Sequence, residues 1–136
     1  MFVVTARRHA SRLRWYPGPA GGGLLRRLRR RGVAGCWVLF AGGELDAAHR
    51  PQLRALLERS VRSGCRVMVL DLRETEFLSI RVAASLADAK AEAWRDGVEL
   101  RLLTGTHEVE RALELVGVSP LFRRYSSIEE ATRAPD

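Results

Sequence analysis

The chain has 136 residues, 46% apolar and 29% charged, which fits one soluble globular domain and argues against an intrinsically disordered one. No run approaches the roughly 18 apolar residues of a membrane span. The net charge of +7 is unevenly spread: residues 1–32 hold nine arginines and no acid, while residues 33–136 hold 14 basic and 16 acidic side chains.

The basicity therefore belongs to an arm, residues 1–32, and the domain proper is expected over 33–136. The opening FVVTA is too short for a signal-peptide core and runs into Arg7–Arg8, so a cytoplasmic location is expected. Pro17, Pro19 and Gly21–Gly23 read as a flexible linker. Leu24, Leu25 and Leu28 in LLRRLRRR would line one side of a short basic helix. That segment offers cations for nucleic-acid phosphates or an anionic membrane, so residues 7–31 carry an alternative function. Because Lys90 is the single lysine against 22 arginines, arginine counts reflect coding bias as much as chemistry.

From residue 33 the texture changes. GCWVLFA (35–41) is a short apolar run ended by Gly42–Gly43 and reads as a strand. After GELD, Pro51 suits a first helical turn, and Leu53, Leu56, Leu57 and Val61 recur at helical spacing over 50–62. Gly64 stops that helix, and CRVMVLDL (65–72) is a second strand whose VMVL centre is apolar enough for burial on both faces.

A helix is expected over 80–95, with Val82, Leu86, Ala89 and Ala93 inward and Ser85, Asp88, Glu92 and Arg95 toward water. Gly97 ends it, and VELRLLT (98–104) alternates as a third strand. Thr106 caps a further helix that buries Val109, Leu113 and Val116. Gly117 and Val118 stop it. Ser127 and Glu130 form a capping box for a terminal helix. The order is that of a single-domain α/β fold, a small, mostly parallel or mixed sheet with helices packed against it, preceded by the basic arm.

Catalytic signatures are wanting. Gly21–Gly23 lacks the Lys-Ser/Thr of a phosphate loop, and no G-x-S-x-G occurs. His9, His49 and His107 do not have zinc-site spacing. Cys36 and Cys65 read as buried reduced thiols. Asp46 and Asp71 follow predicted strands without a metal partner or base and read as solvated turn and cap residues. No enzyme, metal or cofactor is expected.

Taken in order, Phe40-Ala-Gly-Gly-Glu-Leu-Asp46, VMVLDLRETEFLS, GVELRLLT, VERALELVGVSPLF and SSIEEA resemble the STAS domain, the fold of bacterial anti-sigma factor antagonists. The resemblance covers residues 33–133 and implies a module that regulates by binding another protein. It implies as partner an anti-sigma factor with a histidine-kinase-like ATPase fold, which phosphorylates a serine at the second strand-to-helix junction. A STAS accessory subunit of a transport complex is a further reading. The family's D-S-S-G falls on Ser79-Ile80-Arg81-Val82, so the phosphoacceptor position holds Ile80, which has no hydroxyl. Ser79 then reads as a helix cap, or as a displaced phosphorylation site. Ile80 is expected in the core, the other reading being an apolar interface knob. The implied contact surface is Glu44, Asp46, Phe77, Ser79, Ile80, Arg81, Val82 and Ser85, with Asp88 and Glu92 along the same helix. The family has one more strand before the G-x-L-D strand, which Phe2–Ala6 either supplies or leaves missing.

Overall fold

The computed structural model describes residues 2–5, 14–17, 24–30, 36–62 and 64–133. Its centre is a parallel ladder, β4 (Cys36–Leu45), β5 (Val67–Leu78) and β6 (Glu99–Leu103), in that spatial order. Helices α1 (Arg50–Arg62) and α2 (Ile80–Arg95) make the crossovers, and α3 (His107–Leu115) and the short α4 (Ile128–Ala131) follow β6. Every residue from Val67 to Leu72 is buried, as a strand covered on both faces requires.

The arm enters the same sheet. β1 (Phe2–Thr5) pairs antiparallel with Phe40–Gly43, while β3 (Leu24–Arg30) pairs antiparallel with Cys36–Phe40 and with β2 (Arg14–Pro17). The LLRRLRR segment is therefore a strand, where an apolar spacing over eight residues suggested a helix. Tertiary pairing overrides so short a local preference. The additional strand ahead of GELD is thus supplied twice over. Arg7, Arg8, Arg12 and the linker residues 18–23 lie outside the described residues.

The helix ends behave as the glycines dictate. Gly97 (φ 76°) and Gly117 (φ 74°) take the left-handed conformation, and the amides of Val98 and Val118 close onto Ala93 and Leu113 at 2.9 and 3.0 Å. These are Schellman closures, which satisfy carbonyls the helix itself leaves free. At α4 the expected reciprocal box is half present. Ser127 Oγ accepts from the Glu130 amide at 3.1 Å, but the Glu130 carboxylate accepts from Ser126 N (2.9 Å) and its hydroxyl (2.5 Å) instead.

Two strands run further than composition suggests. Gly42–Gly43 does not end β4, which continues to Leu45 with Gly43 at φ 79°. β5 does not stop at Leu72 but runs on through the polar RETE to Leu78. The extension is possible because β5 takes up two extra residues against β4, with register shifts between Phe40 and Gly42 and between Gly43 and Glu44. At the first shift the Ala41 carbonyl accepts from the buried Thr75 Oγ1 at 2.8 Å. Thr106 Oγ1 in turn donates to Thr75 O at 3.1 Å, tying the start of α3 to the same strand.

Arg101 is the other departure. A charged residue in an alternating strand ordinarily faces water, yet Arg101 is 7% exposed. Its guanidinium donates to the carbonyls of Ala131 (3.0 Å) and Arg133 (2.6 Å) and to Glu99 Oε2 (3.1 Å), so it seals the end of α4 against β6. Val116, expected inside, is half-buried and serves as the α3 C-cap.

Candidate partner-binding site

The extended ends of β4 and β5 form a lip, and α2 starts from it. In register, Gly42 meets Glu74, Gly43 meets Thr75, and Glu44 meets Phe77. Arg73, Glu74, Glu76 and Phe77 are exposed, whereas Thr75 and Leu78 turn inward and hold the strand down. The Ser79 amide donates to Leu45 O at 2.9 Å, so the entry of α2 is bolted to the end of β4.

Ser79 is extended (φ −66°, ψ 150°), and its hydroxyl oxygen accepts from the Val82 amide at 3.1 Å. It is the N-cap, satisfying one of the first-turn amides that a helix cannot pair. The next residue corrects the sequence expectation: Ile80 is 56% exposed, not buried, and Phe77, three residues earlier, is 50% exposed. Two large apolar side chains thus flank a capped serine on the open end of the domain. Burial fails for Ile80 because the core stripe of α2 starts two residues later, at Val82.

The remaining implied contact residues divide. Glu44 and Arg81 are exposed, and among the described residues they make no hydrogen bond or ion pair. Asp46 caps a 3-10 turn over Ala47–His49, accepting from Ala48 N at 2.8 Å, with His49 Nδ1 3.0 Å from its carboxylate. Val82 is fully buried and belongs to the core, not to a contact surface. Ser85 Oγ donates to Val82 O at 2.7 Å, and Ser85, Asp88 and Glu92 line a groove of about 710 Å³ between α1 and α2. Arg54 reaches across that groove to Glu92 at 3.5 Å.

Asp71 is neither a turn nor a cap residue. It is buried within β5 and takes Arg73 in a two-pronged pair, Nε to Oδ1 at 3.0 Å and Nη2 to Oδ2 at 2.8 Å, with the Arg73 amide on Oδ1 as well. The hydrogen bond to Asp71 raises the Arg73 pKa above its ordinary value despite partial desolvation. The sequence pattern hides the pair because it ends the strand at Leu72, between Asp71 and Arg73, whereas the strand runs on and puts these i, i+2 side chains on one face. Cys65 is a buried free thiol whose Sγ donates to Ser60 O at 3.1 Å. Among the described residues no helix is long and apolar enough to cross a membrane.

A mixed sheet with a three-strand parallel centre, flanked by helices and ending in a strand–helix junction that exposes apolar side chains, is an architecture suited to binding. The chain belongs to the STAS domain family, whose model matches residues 27–131. Its fold is similar to that of an anti-sigma factor antagonist from Mycobacterium paratuberculosis, at 21% identity and TM-score 0.59 over 72% of this chain and 83% of that one. It is similar also to the Bacillus cell fate determinant SpoIIAA in its phosphorylated form, at 17% identity and TM-score 0.55 over 70% of this chain and 86% of that one. No curated protein matches the chain in sequence.

Proposed function

We propose that the protein is an anti-sigma factor antagonist-like regulator that works by docking, with the lip of β4 and β5 and the first turn of α2 as its contact surface. The observation that carries this reading is the exposure of Phe77 and Ile80 on either side of Ser79. Large apolar side chains held open on rigid elements are anchors that a partner buries. Glu44 and Arg81 supply the charged rim. The partner class implied by the resemblance is an anti-sigma factor with a histidine-kinase-like ATPase fold.

The same geometry favours a docking that phosphorylation does not switch off. Phosphorylation adds about −1.5 to −2 charges at the contact and works as a release signal in the middle of such an interface. Ile80 offers no oxygen to carry it, and the Ser79 oxygen is engaged as the cap. Binding then depends on expression and competition, not on modification.

The test is titration calorimetry of the full chain against each kinase-fold anti-sigma factor of the source genome, with and without ATP. One factor is expected to bind, to lose affinity by about tenfold or more with Ile80→Asp, and to be indifferent to ATP. Leu115→Asp, on an exposed site outside the lip, should leave affinity unchanged. Phosphate on parental Ser79, or binding indifferent to Ile80→Asp and Phe77→Ser, overturns the reading. Nucleic acid or anionic membrane bound through residues 7–31 is the competing outcome. It is tested by arginine-to-glutamine substitutions, because deleting residues 1–32 removes three strands of the sheet.

A further inference from the structure

The end of α2 remote from the lip carries a second apolar feature that the docking reading does not use. Trp94 is 69% exposed, and next to it lies a cleft of about 430 Å³ lined by Ala87, Ala91, Val98, Leu100 and Leu121 as well as Trp94 and Lys90. A large exposed knob thus stands at the edge of an apolar hollow whose α2 wall is made by the small residues Ala87 and Ala91, with Val98, Leu100 and Leu121 closing it from neighbouring elements. Ala87, Ala91 and Trp94 share a stripe, at the spacings of four and three that stack side chains along a helix.

We infer that this face is a self-complementary seat for a second copy of the chain, with two α2 helices antiparallel about a twofold axis and each Trp94 in the other's cleft. A twofold interface requires that if one residue meets another, the reverse contact also forms. Pairing Trp94 with Ala87 of the second copy meets that requirement at once, because both sites lie on the same stripe.

Charge supports the register. Asp88 and Arg95 each lie one residue beyond a stripe position, about 100° round the helix on the same flank. In the antiparallel arrangement that flank faces its own counterpart, and Arg95 comes against Asp88 of the second copy. Both are exposed, and among the described residues neither makes a hydrogen bond or ion pair. The opposite flank carries Lys90, whose ammonium is turned onto its own Phe122 ring, 5.1 Å from the centroid, so the two lysines are drawn aside.

Area sets the strength. Two aromatic side chains exchanged between copies bury on the order of 300–500 Å². Specific interfaces begin near roughly 1,200 Å², so Leu121, Ala91 and the Lys90 stem must supply the rest and the dimer is weak. Because the seat is at the far end of α2 from Ile80, pairing leaves both lips open and makes the assembly bivalent.

Sedimentation equilibrium of the full chain across the micromolar range tests this. The parent is expected to dimerise reversibly. Trp94→Ala, which removes the knob, and Ala91→Glu, which fills the hollow with charge, should each yield monomer. Arg95→Asp alone should weaken association about tenfold by setting like charges opposite one another, and adding Asp88→Arg should restore it. Leu115→Ala, exposed but outside the cleft, should have no effect. A monomeric parent, a dimer indifferent to Ala91→Glu, or no rescue by the double charge exchange overturns the inference. Far-ultraviolet dichroism of each variant separates loss of pairing from loss of fold.

Discussion

Replacing Thr75 by valine is the sharpest single test of how the lip is built. Thr75 is fully buried, and its hydroxyl donates to the Ala41 carbonyl at the point where β4 and β5 change register. Valine keeps the shape and suits a strand, so cavity and conformational costs are small. What changes is that a buried carbonyl loses its donor, which costs about 1–3 kcal/mol. Thr75→Ser is the control, since it keeps the donor and removes one methyl group worth about 0.8 kcal/mol. Urea unfolding with a slope near 2 kcal/mol/M converts a loss of about 2 kcal/mol into a midpoint about 1 M lower, with the slope unchanged. The valine variant should therefore fall below the serine variant. Were valine as stable as the parent, or serine the worse of the two, methyl packing and not the hydroxyl would hold the register shift, and the account given of the lip would be wrong.

Other substitutions probe the flanking joints. Ser79→Ala should cost about 1 kcal/mol through loss of the cap while Ser79→Asp is nearly neutral, measured by the same unfolding transition; equal losses would mean that the hydroxyl does not cap α2. Gly117 has φ 74° and open space where a Cβ would stand, so Gly117→Ala should lose about 1–2 kcal/mol from backbone conformation alone, and Gly117→Asn less. The Glu130 carboxyl is held below its ordinary range, first by the Ser126 hydroxyl and then by the Ser126 amide. Its contribution is present above the unfolded-state value and disappears as pH falls through the lower folded-state value. Carbon-detected NMR titration should show Glu130 protonating below the ordinary glutamate range, and an ordinary titration would remove the basis for this assignment.

Much of this protein is written in local pattern. Helical spacing at Leu53, Leu56 and Leu57, and at Val82 and Leu86, gives the core faces of α1 and α2, because burying an apolar stripe is what makes such helices stable. Gly97 and Gly117 mark helix ends because a left-handed residue is needed there whatever packs around it. Ser79 is recognisable as a cap for the same reason, its role being settled within three residues of chain.

Other features depend on residues far apart in sequence, which periodicity does not report. RETEF reads as loop, yet it is strand, because Thr75 finds Ala41 across 34 positions and satisfies the register shift. Arg101 alternates like a surface residue but is buried, because the carbonyls at the end of α4 arrive from 30 residues away to meet it. LLRRLRR has the spacing of a helix and becomes a strand once β2 and β4 offer ladder partners. Ile80 looks like core by composition and is exposed, since the direction in which α2 leaves the sheet is set by the Ser79 amide on Leu45, not by the hydrophobicity of any one side chain. Sequence alone determined where the helices cap and stop and which stripes α1 and α2 bury, as those events are decided within a turn or two of backbone. Only the tertiary structure decided which polar groups pair across the sheet and which apolar ones are left facing out, because both depend on the arrival of distant partners.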